Sequence, residues 1–223
     1  KNFIFYKKIK KFNLDPVPYF MNKVDGTSYS FLYESVEKGK DKGRYTFCGY
    51  GASSVIINKK KGLYVIRNKK TKKLKKEKNI LNQINSIINS YKISNVENLP
   101  PMTSAFFGYL SYENINNIEN IIKKKKIDTL HLPDCLLFIP ETLIIYDNQK
   151  SILFLTKTID NSASNKKNVY ENLVNEFKKI EKDVKINKGY DDINFNKRKK
   201  IIPKSNISRS KFEKNINLAK KYI

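Results

Sequence analysis

The chain has 223 residues, a net charge of +24, two cysteines and no tryptophan, and 39% of its residues are hydrophobic. This length can bury a core without disulfide or metal support, and the hydrophobic content excludes an intrinsically disordered chain. No apolar run reaches the roughly 18 residues of a membrane span, so we predict no membrane association. Cys48 and Cys135 lie in apolar runs without metal-ligand spacing, and we interpret them as reduced core thiols of a cytoplasmic protein.

The positive charge raises the question of nucleic-acid binding, because lysine and arginine neutralise phosphates. Only four of the 45 basic residues are arginine, the residue favoured for bidentate contacts with phosphates and bases. The lysines occur together with 27 asparagines, which is typical of a compositional drift. We therefore expect a solvated lysine surface and no nucleic-acid partner, and we keep a basic nucleic-acid-binding module as an alternative.

The first predicted elements are strands. Alternating apolar residues predict strands at 29–34 and 44–50. Two further runs, 55–58 and 63–67, are joined by a short lysine-rich turn that ends in Gly62, and they predict a β-hairpin.

The spacing of the apolar residues then changes to that of a helix. Apolar residues at 80, 81, 84, 87, 88 and 91 predict an amphipathic helix that covers a sheet. A further strand is predicted in the segment TSAFFGYL, and two strands at 136–146 and 152–158 form an antiparallel hairpin through DNQK. Pro140 lies inside the first of these strands and predicts an edge position or a bulge there.

Two helices complete the chain. Apolar residues at 169, 173, 177 and 180 predict the first, and Ser208 is the predicted N-cap of the second. Hairpins with interspersed helices and no βαβ alternation indicate an α+β fold with mostly antiparallel sheets. We expect a two-sheet sandwich with helices packed on the outside.

Common catalytic signatures are missing from the pattern. His131 is the sole histidine, and it precedes Leu-Pro-Asp in a predicted loop without a nucleophile at a recognisable spacing. Gly49-Tyr50-Gly51 is followed by a strand, whereas a phosphate-binding loop requires a helix N-terminus. We interpret His131 as a plain loop residue and Gly49-Tyr50-Gly51 as a turn.

The segment SFLYESVEKGKDKGRYTFCGYGASSVI carries the remaining candidate site. Glu34 and Ser35 end an aromatic strand, and Arg44 opens the next one. The pair could be a strand end that faces water, or a carboxylate and hydroxyl that bind a zwitterionic amino acid with Arg44 as an anion partner. The spacing alone leaves both interpretations open.

Four segments resemble the N-terminal domain of anthranilate synthase component I. FLYESVEKGKDKGRYTFCGY resembles the Leu-Leu-Glu-Ser and Gly-Arg-Tyr-Ser-Phe-Ile-Gly segments of that family, and FFGYLSYENINNIE resembles its Gly-Tyr-x-x-Tyr-Asp segment. LPDCLLFIPETLIIYDNQKSILFLT resembles its Leu-Pro-Asp hairpin, and SNISRSKFEKNINLAKKYI resembles the start of its chorismate-binding domain. The order is the same over nearly the whole chain. Aminodeoxychorismate synthase component I of folate synthesis shares this layout and stays open as an alternative.

The resemblance implies a feedback site for L-tryptophan. Leu32, Glu34 and Ser35 match the family's Leu-Leu-Glu-Ser strand, and Arg44 lies near enough to bind an anion. Tyr33 replaces a leucine and is expected to narrow the pocket or to shift inhibitor preference. A free-standing amino-acid-binding regulator is a third possibility.

The resemblance also implies a domain division and an activity. Residues 1–182 match the regulatory domain, 183–203 the linker, and 204–223 the first helix of a chorismate-binding catalytic domain that continues beyond Ile223. Such enzymes convert chorismate, with ammonia from a glutamine amidotransferase subunit, to anthranilate and pyruvate. They use Mg²⁺ held by carboxylates of the catalytic domain, so we expect no metal on this chain and no catalytic residue or chorismate turnover from it alone.

Overall fold

The computed structural model describes most of the chain. The described residues are 2–12, 14–24, 28–34, 43–59, 61–67, 69–94, 97–117, 119, 130–159, 166–185 and 202–223. They fall into two compact units, Lys1–Lys188 and Gly189–Ile223.

The first unit contains two β-sheets. The strands in chain order are β1 (Asn2–Ile9), β2 (Ser30–Tyr33), β3 (Tyr45–Tyr50), β4 (Ser54–Lys59), β5 (Gly62–Arg67), β6 (Lys70–Leu74), β7 (Ile93–Ser94), β8 (Phe107–Leu110), β9 (Cys135–Ile139), β10 (Thr142–Asp147) and β11 (Ile152–Ile159). A six-stranded sheet has the order β2-β3-β10-β11-β1-β7, and a five-stranded sheet has the order β6-β5-β4-β9-β8. Every pairing is antiparallel except the short parallel contact of β1 with β7.

Three helices lie in the same unit: α1 (Pro16–Val24), α2 (Ile80–Asn89) and α3 (Lys166–Lys185). Pro16 occupies the first helical position of α1, where its missing N–H costs nothing, and the Asp15 carboxylate accepts from the Val17 amide at 3.1 Å. Asn79 caps α2 by accepting from the Asn82 amide at 3.0 Å. A short 3₁₀ helix, Tyr112–Asn117, follows β8.

The apolar residues form three clusters that define four layers. The cluster between the two sheets contains Phe31, Phe47, Val55, Ile57, Phe107, Phe138, Leu143, Ile145 and Phe154. On the outer side of the six-stranded sheet, Tyr19 of α1 and Phe177 and Ile180 of α3 pack on strand residues such as Leu155. On the outer side of the five-stranded sheet, Ile80 and Ile84 of α2 pack on Ile56 and Leu63. The α+β sandwich with outer helices is therefore confirmed.

Ion pairs lie beside the apolar contact between α3 and the six-stranded sheet. Glu181 pairs with Lys7 of β1, and Glu176 accepts from the Lys157 ammonium of β11 at 2.7 Å. Hydrogen bonds from Lys185 and Lys7 lower the pKa of Glu181 below its ordinary value, against a smaller effect of burial. Part of the lysine excess on the outer face of this sheet therefore holds the helix in place.

One strand prediction needs correction. Residues 136–146 do not form one strand, because Pro140 separates β9 in the five-stranded sheet from β10 in the six-stranded sheet. Proline lacks the N–H that a ladder needs, so the pairing breaks there and the chain crosses between the sheets.

The second described unit contains α4 (Arg209–Lys220), which begins at the predicted N-cap: the Ser208 hydroxyl accepts from the Lys211 amide at 3.4 Å. The segment predicted as a linker at 183–203 starts inside α3, which continues to Lys185 with Val184 fully buried. Residues 186–201 of it lie outside the described residues.

Candidate functional site

The candidate site begins on β2, an edge strand of the six-stranded sheet. Phe31 points into the layer between the sheets, where its ring stacks on Phe107 of β8 with centroids 4.1 Å apart. Leu32 points to the opposite face and is partly buried against the outer cluster. Tyr33 returns to the first face and leans on Phe31 at 4.9 Å. The alternation of a strand thus fixes the direction of each side chain up to the strand end.

The neighbouring strand β3 is shaped for this aromatic contact. Gly49 pairs directly with Phe31, and a Cβ atom at Gly49 would lie 2.3 Å from the Phe31 ring. A glycine is therefore required for the ring to reach Phe107. The sequence pattern indicated a turn at this glycine, whereas the structure shows close packing inside a strand.

Glu34 follows the last residue of β2 and is exposed. Ser35 lies outside the described residues. Leu32 faces the outer cluster, whereas Glu34 faces solvent.

Arg44, the predicted anion partner, forms an ion pair within the protein. Its Nη2 donates to Asp147 Oδ2 at 2.9 Å, and its Nε lies 3.3 Å from both carboxylate oxygens. The guanidinium also lies over the Tyr45 ring at 4.8 Å. Asp147 belongs to β10, which flanks β3 on the side opposite to β2. The structure thus pairs Arg44 with Asp147, and an anion bound there would share the guanidinium with that carboxylate.

Asp147 is buried and remains ionised because of its partners. Burial alone would raise the pKa of this carboxyl, but hydrogen bonds from Arg44 and from the backbone amides of Lys150 and Gln149 outweigh it and lower the pKa below its ordinary value. The hydrogen bond to Asp147 in turn raises the pKa of Arg44, against a smaller effect of burial. Sequence reasoning missed Asp147, because it lies 103 residues from Arg44 and no local spacing connects them.

An exposed apolar surface adjoins the aromatic stack. Tyr33 is 44% exposed, and the edge strand β8 carries Tyr109 and Leu110, of which Leu110 is 51% exposed. Tyr112, in the 3₁₀ helix after β8, is even more exposed. Exposed aromatic residues in a group are typical of binding surfaces.

The described part of the chain offers no metal site. None of its His, Cys, Asp and Glu side chains form a group of three or more that could hold an ion. These residues therefore do not fit the Mg²⁺ that the family resemblance implies. Among the described helices, none combines the length and the apolar character needed to cross a bilayer.

Comparison with known proteins identifies the family. The model of a family described as chorismate binding enzyme matches residues 29–223. The match begins just before β2, continues through α4 and includes the candidate site. Among curated proteins, no sequence matches the chain. Because the family model covers most of the 223 residues, the chain belongs to the chorismate binding enzyme family.

Proposed function

We propose that this chain is the feedback-regulatory part of an anthranilate synthase component I. The observation that carries the proposal is the family match over residues 29–223, which indicates a chorismate-utilising enzyme. The intact segment GRYTFCGY at residues 43–50 favours the anthranilate branch over the folate branch, which shares the order of the four segments. In this reaction the enzyme replaces a chorismate hydroxyl by ammonia and eliminates pyruvate, which yields anthranilate and water.

We assign the supply of ammonia to a second subunit and the binding of chorismate to a catalytic domain. A glutamine amidotransferase subunit supplies ammonia, and a catalytic domain that continues from α4 binds chorismate. Mg²⁺, when bound by carboxylates of that domain, would neutralise charge on the substrate. The residues of this chain would affect the reaction only by changing the position of the regulatory domain relative to the catalytic domain.

The end of β2 is the proposed regulatory contact. A zwitterionic amino acid needs an acceptor for its ammonium group, donors for its carboxylate and an apolar surface for its side chain. Glu34 offers the acceptor, and Tyr33 offers an exposed ring next to it. Ser35 follows directly in the sequence and is the proposed carboxylate donor. Leu32, packed on the other face, holds the strand in place.

Inhibition requires that tryptophan bind one domain arrangement better than another. Coupling between two sites in proteins is typically about 1–3 kcal/mol, which corresponds to a change of roughly 5- to 150-fold in apparent affinity. Substitution at the strand end should therefore alter inhibition by this range and leave the chemical step unchanged.

The experiment uses the enzyme expressed from its complete reading frame, assayed with chorismate and an ammonium salt. Anthranilate, detected by its fluorescence, is the expected product, and formation of aminodeoxychorismate instead would refute the anthranilate assignment. Ser35→Phe should raise the tryptophan concentration for half-inhibition by about fivefold or more with kcat retained. Ser28→Phe, at an exposed residue that precedes β2, is the matched control and should leave inhibition unchanged. Anthranilate formation with unaltered inhibition in Ser35→Phe would retain the enzyme and remove the regulatory site.

A further inference from the structure

A cavity of about 490 Å³ lies on the five-stranded sheet, away from β2. Its floor is formed by Ile57, Tyr64 and Ile66, and the loop that leads into β9 contributes Leu132 and His131 as a wall. We call this space the hairpin cavity. Small-molecule sites commonly enclose about 300–1,000 Å³ with mostly apolar walls and few polar groups. The hairpin cavity has the size and lining of such a site.

The floor is a continuous patch of one sheet face. Ile57 of β4 pairs with Tyr64 of β5, and Tyr64 pairs with Lys73 of β6, so their side chains share this face. Ile66 pairs with Thr71, which also lines the cavity. Ile57 and Ile66 contact the layer between the sheets, whereas Thr71 is exposed. The cavity therefore lies on the part of the five-stranded sheet that the six-stranded sheet no longer covers.

The rim of the hairpin cavity is cationic. Lys59, the last residue of β4, and Lys61, in the β4–β5 turn, line it. The Lys73 ammonium lies 5.9 Å from the centroid of the Tyr64 ring. None of these three lysines forms an ion pair with a carboxylate among the described residues, in contrast to Lys7 and Lys157 on the other sheet. Their charge is available to a ligand.

Gly62 lies beside the end of the Lys73 side chain. It pairs with Lys59 at a φ of 155°, and a Cβ atom at Gly62 would lie 2.8 Å from Lys73 Cε. A side chain at position 62 would shift only the flexible end of Lys73. The hairpin turn has a glycine because the backbone there has a positive φ.

We propose that the hairpin cavity is a ligand site for a planar ring carboxylate, separate from the proposed tryptophan site. The ring lies on Tyr64 and the two isoleucines, where apolar contact favours a flat group. The carboxylate points to Lys59 and Lys61, which line the cavity, and to Lys73, whose ammonium lies near the Tyr64 ring. A neutral ring leaves the lysines without an anion, and an inorganic anion leaves the apolar floor exposed.

The two lysines of β6 provide a matched pair of variants. Lys73 shares the cavity face with Tyr64, whereas Lys72 pairs with Val65 and points to the opposite face. Both residues are exposed, so replacement of either by glutamine removes one charge with little effect on folding. Lys73→Gln should weaken ligand binding by roughly two- to fivefold, the range for one partly solvated charge pair. Lys72→Gln should leave it unchanged.

The test is an NMR titration of the ¹⁵N-labelled 223-residue chain with 1-naphthoate, its neutral amide and inorganic phosphate. Naphthoate should shift the amide signals of Gly62, Tyr64 and Ile66 in a saturable way, and the amide and phosphate should not. Absence of these shifts, or equal shifts with the neutral amide or with phosphate, would overturn the proposal. Equal weakening by Lys72→Gln would also overturn it, because general attraction to a basic surface would then explain the binding.

Discussion

Replacement of Gly49 by alanine should loosen the contact between the two sheets. Gly49 lies in β3, and the added Cβ would approach the Phe31 ring to 2.3 Å. The ring cannot remain there, because under 3 Å a carbon pair overlaps strongly. Phe31 stacks on Phe107 of β8 at 4.1 Å, so its displacement breaks the aromatic link between the edge strands β2 and β8.

The expected cost is about 2 kcal/mol. Overpacking of a core by one carbon costs about 1–3 kcal/mol, and loss of an aromatic pair costs about 0.5–1.5 kcal/mol. Replacement of glycine by alanine returns about 0.4–1 kcal/mol by restricting the unfolded chain, since Gly49 has no positive φ that would add strain. In a chain of this size, about 2 kcal/mol lowers the melting temperature by roughly 4–8 °C.

The assay is urea unfolding of the 223-residue chain followed by circular dichroism, with a double-mutant cycle. Phe31→Leu removes the ring edge that meets the new methyl group. If the contact with the ring causes the loss, Gly49→Ala combined with Phe31→Leu should cost clearly less than the sum of the two single variants. Strict additivity, or wild-type stability of Gly49→Ala, would refute the reasoning.

Three further outcomes follow from buried groups. The folded pKa of Asp147 lies below the unfolded value of 3.8, so the ionised carboxylate stabilises the fold above pH 3.8, and this stabilisation is lost as the pH falls further. Asp147→Asn should therefore lower the melting temperature at pH 7. In a pH series, the melting temperature of this variant should fall less on acidification than that of the wild type. Burial raises the pKa of Cys48 and Cys135 to about 12, so Ellman's reagent at pH 8 should detect neither thiol in the folded chain and both in denaturant. Phe177→Ala should cost about 3–5 kcal/mol in urea unfolding, whereas Tyr170→Ala on the same helix, 59% exposed, should cost much less although both rings contact Phe5.

Local patterns predicted the elements whose signal is contiguous. The stripe of isoleucines predicted α2, and the turns at Gly62 and at DNQK predicted the hairpins β4–β5 and β10–β11. The stripe from 169 to 180 predicted α3. In each case the residues that form the buried face are neighbours in sequence, so their spacing contains the necessary information.

Elements stabilised by distant partners were missed. The strand β1 reads NFIFYKKI, and its lysines obscure an alternation in which Ile4 and Ile9 are buried. Lys7 is tolerated there because Glu181 of α3, 174 residues later, accepts from it. β6 is composed mainly of lysines and forms an exposed edge, where such residues also discourage pairing with other chains. Neither strand has a local signal strong enough for prediction.

For the candidate site as well, local patterns predicted some features and missed those that depend on distant residues. The strand end at Glu34 was predicted from local alternation and lies where expected, at the exposed end of β2. The role of Arg44 depends on Asp147, and the role of Gly49 depends on Phe31 across the ladder and Phe107 in the other sheet. These contacts arise from sheet register and sheet stacking, which no local spacing specifies.

Tyr33 connects the proposed regulatory contact to the core. Its ring lies 4.9 Å from Phe31 and 6.0 Å from Phe107, so the three rings form one group that extends from solvent to the layer between the sheets. A leucine at position 33 would fill less of this surface and could not continue the aromatic group. Under the proposed function, a ligand ring placed on Tyr33 bears directly on the pair that joins β2 to β8. Under that proposal, a tyrosine at position 33 would therefore provide a physical route by which binding at the strand end alters the packing of the two sheets.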